Sequence, residues 1–222
     1  MTISSPLWTA ASQGFTEEVR QLLEEGASVE ARGGQTGGTA LLGAAQRGRL
    51  SVTILLLQHG ADISAVDDNG QTALHQAVMQ GEEDVAKVLL DGGAAVMARD
   101  NFSSTPLHCA NGHAGMATLL LDRGADVAAQ DVNGDTPLHL AVQVVGTNDA
   151  VRVLLAAGAE PTATDADAST PLHCAAMGGH DVRAQMLLDA GADLSAQNNF
   201  GSTALHYAAG DGHAGPNLNP KP

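Results

Sequence analysis

Residues 170–183 read TPLHCAAMGGHDVR, and residues 187–194 complete the phrase with LLDAGADL. Thr170 offers a side-chain oxygen to the first free backbone N–H groups of a helix, and Pro171 takes the first helical position, where a missing N–H costs nothing. A glycine about nine residues after the cap ends that helix. A second apolar run follows and closes at Gly-Ala-Asp. The stretch therefore predicts helix, turn, helix.

The same phrase recurs along the chain. A Thr/Ser-x-Leu frame starts at Ser5, Thr39, Thr72, Thr105, Thr136, Thr170 and Thr203, at intervals of 34, 33, 33, 31, 34 and 33 residues. A second frame follows the first six: LLEEGASV, LLQHGADI, LLDGGAAV, LLDRGADV, LLAAGAEP and LLDAGADL. Leu74, Ala77 and Val78 make one apolar stripe on a first helix. Val85, Val88, Leu89 and Leu90 do so on a second, whose acidic start suits the positive helix end. Segments such as AVDDNGQ, AQDVNGD and AQNNFGS have the composition of tight turns.

These letters resemble the ankyrin-repeat family, whose pattern is T-P-L-H-x-A-A, then G-H, then L-L-x-x-G-A-D-V. The resemblance covers residues 5 to about 212, six full units and a broken seventh. It implies an all-α repeat solenoid of stacked helix-turn-helix units, with β-hairpin-like fingers near residues 30–38, 64–71, 97–104, 128–135, 162–169 and 195–202. One repeat domain over residues 1–212 and a Pro/Asn tail over 213–222 is the expected organisation.

Composition fits close helix packing, since alanine and glycine dominate and 2% of residues are aromatic. No apolar run of about 18 residues offers a membrane span. The start MTISSPLWTAAS lacks the basic and apolar regions of a secretory signal, and two cysteines a repeat pair apart suit a reducing cytoplasmic or nuclear setting. Cys109 and Cys174 hold equivalent positions roughly 20 Å apart in such a stack, beyond the limit of about 7 Å for a disulfide. With 25 acidic and 10 basic residues the net charge is −15, which repels phosphate backbones and suits a basic or neutral protein partner.

Nine histidines invite a metal or catalytic reading. His75, His108, His139, His173 and His206 are the fourth letter of the first frame, a repeat apart, so they cannot share one metal whose ligands sit about 2 Å from its centre. The family gives this histidine a structural role between turn and neighbouring repeat. His113, His180 and His213 are Gly-His letters, and His59 stands outside both sets. His108-Cys109 and His173-Cys174 are helix neighbours that point apart, a poor base–nucleophile pairing. Asp131 to Asp135 has half the letters of a calcium loop and reads better as a finger turn. No cofactor, metal or catalytic residue is expected.

Recognition remains. The resemblance places it at the finger tips and the exposed side of the first helices, in a concave groove. Carried over residue by residue, the finger positions are Asp68, Asn69 and Gln71; Asn101, Phe102 and Ser104; Val132, Asn133 and Asp135; Ala166, Asp167 and Ser169; Asn199, Phe200 and Ser202. Helix-one positions are Met79, Gln80, Asn111, Gln143, Val144 and Met177. Phe102 and Phe200 either anchor a partner or fold over their own turns. A monomeric scaffold or adaptor is the expected function, the alternative being an enzyme or small-molecule binder that uses the groove.

Two irregularities stand out. Thr105 reaches Gly112 in seven residues, where Thr72 reaches Gly81 in nine and Thr136 reaches Gly146 in ten. The fourth first-helix should shrink to about residues 106–110 and the fifth should lengthen, giving a notch beside a bulge. At the far end, Gly215, Pro216 and Pro220 forbid a second helix. Leu205, Tyr207 and Ala208 should then be partly uncovered, as in an array cut from something longer or finished by a partner.

Overall fold

Ser5 Oγ accepts the Trp8 amide at 3.0 Å, Pro6 takes the first helical position, and Gly14 ends the helix at a φ of 85°. That left-handed angle is one an L side chain disfavours. The computed structural model describes residues 5–110, 112–144, 146 and 148–210. Twelve α-helices lie among them: α1 (Pro6–Gln13), α2 (Thr16–Glu24), α3 (Ala40–Gln46), α4 (Leu50–Gln58), α5 (Ala73–Gln80), α6 (Glu83–Asp91), α7 (Ala114–Asp122), α8 (Pro137–Ala141), α9 (Asp149–Ala156), α10 (Pro171–Met177), α11 (Asp181–Asp189) and α12 (Ala204–Gly210). The chain is an all-α repeat protein.

Two compact units form, the first within Met1–Cys109 plus Asp122–Ala125 and the second within Ala110–Leu121 plus Asp126–Pro222. In the first, α1, α3 and α5 pack in succession, and each also packs on its own second helix, α2, α4 or α6. In the second, α8, α10 and α12 pack in succession, with α9 on α8 and α11 on α10. Alanine makes the close approach possible: Ala10, Ala11, Ala44, Ala45 and Ala77 are buried beside Leu7, Leu41 and Leu74. Each buried leucine contributes about 2 kcal/mol by removal from water.

The histidine of the first frame works as a bridge. In α5, α8 and α10 the Thr72, Thr136 and Thr170 amides donate to Nδ1 of His75, His139 and His173 at 3.2, 3.1 and 3.0 Å. An Nδ1 that accepts leaves the proton on Nε2. That proton is donated to the carbonyls of Ser104, Ser169 and Ser202 in the following repeat at 3.2, 3.2 and 3.0 Å. Burial lowers the pKa of His75 and His139, so both rings are neutral donors.

The fourth repeat departs further from the pattern than expected. In place of a helix over 106–110 there is one 3-10 turn, His108–Ala110. With Gly112 already left-handed at a φ of 83°, the chain from Thr105 has room for i to i+3 bonds, His108 N–H to Thr105 O and Cys109 N–H to Pro106 O, both 3.0 Å. Thr105 nonetheless keeps its amide on His108 Nδ1, at 3.1 Å.

The fifth first-helix is shorter than expected, not longer. α8 stops at Ala141, and the extra residue goes into the segment that follows. Arg183 of α11 explains the stop. Its guanidinium donates to the carbonyls of Val142 (3.0 Å), Val144 and Gly146 (3.2 Å), and its Nε donates to Asn148 Oδ1 at 3.0 Å. A side chain thus takes carbonyls that a longer helix would have paired.

At the far end Leu205 is exposed and Tyr207 half-buried, as expected, but Ala208 is buried. Tyr207 Oη accepts from Asn198 Nδ2 at 2.9 Å, and its ring stands edge-on to His173. The tail 211–222, with His213 and its prolines, lies outside the described residues.

Candidate functional site

Each finger after the first is closed by one carboxylate or amide oxygen. Asp67 Oδ1 accepts the Asn69 and Gln71 amides, Asp100 those of Phe102 and Ser104, Asp131 those of Asn133 and Asp135, and Asp165 those of Asp167 and Ser169. Asn198 does the same for Phe200 and Ser202. The residue after the Asp or Asn then joins its finger to the preceding one. Asp68 N–H donates to Thr36 O and Asn101 N–H to Asn69 O in the first unit; Ala166 N–H donates to Asn133 O and Asn199 N–H to Asp167 O in the second. The first finger is closed by a two-residue β-ladder between β1 (Arg32–Gly33) and β2 (Gly38–Thr39), and the second adds a single antiparallel bridge from Val66 to Thr72.

This geometry sorts the expected recognition residues. Asp68, Asn69, Asn101 and Phe102 are exposed at tips of the first unit, and Val132, Asn133, Ala166, Asp167, Asn199 and Phe200 at tips of the second. Phe102 is 57% exposed and Phe200 71%, so neither ring buries itself on its own turn. Gln80, Gln143 and Met177 are exposed at helix-one ends, while Met79 and Val144 are half-buried. The Gln71 side chain and the backbones of Ser104, Ser169 and Ser202 serve the scaffold instead. Gln71 bonds Gln76 and Asp100, and the three serine carbonyls receive the histidine bridges. Asn111 lies outside the described residues.

Asp135 is the electrostatic exception. Partial burial, with Asp131 and Asp165 close by, pushes its carboxyl up to about 6. The two thiols are pushed up to about 12, chiefly by burial. The Cys174 thiol, so far from ionising, lies beside His173, whose ring nitrogens are both engaged, and the two are no nucleophile–base pair. Among the described residues no group of three or more His, Cys, Asp or Glu is arranged to hold a metal ion.

Two features escape a reading by motif. The first is a cavity of about 930 Å³ in the first unit, lined by residues that include Trp8, Gln35, Leu42, Gln46, Arg47 and Gln76. Trp8 and Leu42 stand where the later repeats have their histidine, and that substitution was the available signal. The second is Arg183, 4% exposed at the register where other repeats bury Val52, Val85, Met116 and Ala150. An arginine on an apolar stripe was its signal.

A family model described as "Ankyrin repeats (3 copies)" matches residues 3–67, 60–131, 98–165 and 138–215. Comparison with curated proteins gives no match.

Proposed function

Since the chain belongs to the ankyrin-repeat family, generally protein–protein interaction modules, we propose that it is a scaffold or adaptor without catalysis of its own, binding a partner protein through its finger tips and helix-one ends. One observation carries the reading. Fingers closed by an Asx oxygen and hydrogen-bonded to one another hold Phe102 and Phe200 outward, so large apolar anchors are preorganised at little entropic cost on binding. The engaged histidines and un-ionised thiols support the absence of catalysis. A net charge of −15 favours a basic or neutral partner body and disfavours nucleic acid. Among the described residues no helix is long and apolar enough to cross a membrane. A monomer in a reducing cytoplasmic or nuclear setting suits the two free, buried cysteines.

The test is capture from cell extract by the full chain and by the double variant Phe102→Ala/Phe200→Ala, with affinities then measured for whatever the wild type retains. The double variant should bind at least about 2 kcal/mol more weakly with unchanged helical content. Equal binding by both would remove the finger tips from the reading.

A further inference from the structure

The first helices pack on one another in a fixed register. Counting the Thr or Ser of each first frame as position one, position four of a repeat meets position five of the next. Trp8 lies against Gly43 of α3, as well as Gly33 of the hairpin, where an added Cβ would come within 2.9 and 2.7 Å of the indole. The Tyr207 ring stands edge-on to His173, with centroids 6.1 Å apart. Position four also carries the bridge, since Nε2 of His75, His139 and His173 donates to the carbonyl just before the cap of a following frame.

Two faces with this register are left open. On α12, Leu205 is 46% exposed, where Leu74, Leu107, Leu138 and Leu172 at the same position are at most 2%. His206 and Ala209 are exposed as well, where His173 and Ala176 are buried. His206 is already set for a bridge: the Thr203 amide donates to its Nδ1 at 3.1 Å, which leaves the proton on Nε2, and Nε2 has no acceptor among the described residues. On α1 the exposed residues are Pro6 and Thr9, positions two and five, which are buried as Ala40 and Gly43 in α3 and as Pro171 and Cys174 in α10. One face thus lacks the neighbour that follows, and the other the neighbour that precedes.

We propose that a second copy of the chain supplies both, the α12 face of one copy docking head-to-tail on the α1 face of another. The contact continues between molecules the packing that joins α1 to α3 and α10 to α12 within one. Position four meets position five again, His206 against Thr9, and α1 covers Leu205 and Ala209. The His206 Nε2–H then donates to the carbonyl ahead of the Ser5 cap. Both faces are apolar or uncharged, whereas each copy carries a net charge of −15, so repulsion keeps the dilute chain the monomer of the reading above. Self-association goes beyond that reading, since joined copies offer a partner several sets of finger tips.

Sedimentation velocity of the full chain from about 10 μM to about 1 mM should give a sedimentation coefficient that rises with concentration, and more steeply at high salt, where the like charges are screened. Leu205→Glu and Thr9→Glu change exposed side chains, and far-UV circular dichroism of each should match wild type. Each spoils one face and keeps the other. Either variant alone should therefore stay monomeric, while an equimolar mixture should form one-to-one pairs and nothing larger, as a contact between two different faces requires. No rise with concentration in the wild type, a rise that salt suppresses, self-association of either variant alone, or a mixture that stays monomeric overturns the proposal. Partner capture through Phe102 and Phe200 that persists in both variants leaves the scaffold reading standing, so the two readings fail separately.

Discussion

Thr53 is fully buried, and its hydroxyl has no hydrogen-bond partner. Other repeats place Val19, Ala86, Ala117, Val151 and Ala184 at the same register. An orphaned hydroxyl there costs desolvation with no return, and valine has the same shape. Thr53→Val should raise stability by about 1 kcal/mol in urea denaturation. Thr39 is orphaned for a different reason: Leu42 stands where the later repeats present a histidine Nδ1 to the threonine hydroxyl. Asp135 makes a pH-dependent prediction. Its carboxyl, near 6 when folded against an ordinary 3.8, holds a proton in the folded state that the unfolded chain has already released. That contribution is full below about pH 4 and is lost as pH rises through about 6. Asp135→Ser, the residue found at the equivalent Ser104 and Ser169, should therefore gain about 1 kcal/mol at neutral pH, allowing for screening at a partly exposed site, and little near pH 4. His75 and His139 act in the opposite sense. Their stability is present above about 6.5 and is lost as pH falls through their lowered values, so the variant must be compared with wild type at each pH.

At the scale of elements, α8 and α11 share one irregularity written in two places. The fifth repeat carries an extra residue, and the sixth replaces a buried apolar side chain by Arg183, which binds the carbonyls of Val142, Val144 and Gly146. His180 adds its Nε2 to Gln143 O at 3.3 Å. In Arg183→Met those carbonyls lose their buried donor, and the loss should be about 2–3 kcal/mol. If the arginine is there to serve the longer segment, deleting Gly146 together with Arg183→Val should cost at least about 1 kcal/mol less than the sum of the two changes. Strict additivity would separate the two features.

At the scale of the molecule, the boundary between the two compact units runs through the fourth repeat at Cys109 and Ala110, within the 3-10 turn. In a quasi-one-dimensional array stability is a sum of units and interfaces, so a repeat that lacks its first helix has the least to contribute. Amide exchange should be faster across residues 105–116 than across the matching 170–183. Inserting two residues after Ala110 to restore the Ala-Met-Gly pattern of the sixth repeat should slow it and raise stability by about 1 kcal/mol or more. Unchanged exchange would mean that the turn is no weaker than a helix in this setting.

The histidine's bridging role was carried by the family resemblance, since its Nε2 bond reaches a carbonyl 29 or 30 residues on, whereas the repeat frames, the helix pairs and the finger positions were legible in the letters. They rest on local chemistry: a cap, a proline, a glycine at positive φ and an Asx oxygen act within four residues and recur every 33 or so. The irregular places were located by counting but misread in form. Two missing residues removed a helix instead of trimming it: with Gly112 already turning the chain, the segment closes on i to i+3 bonds at 3.0 Å and keeps one long i to i+4 bond, Cys109 N–H to Thr105 O at 3.4 Å. One added residue shortened a helix, because Arg183, roughly forty positions away, took the carbonyls. Such partners are brought together by packing between repeats, as are Trp8 with the glycines of the hairpin and α3. Which exposed residues surround a common cavity was decided in the same way, by tertiary contacts that no spacing within one repeat records.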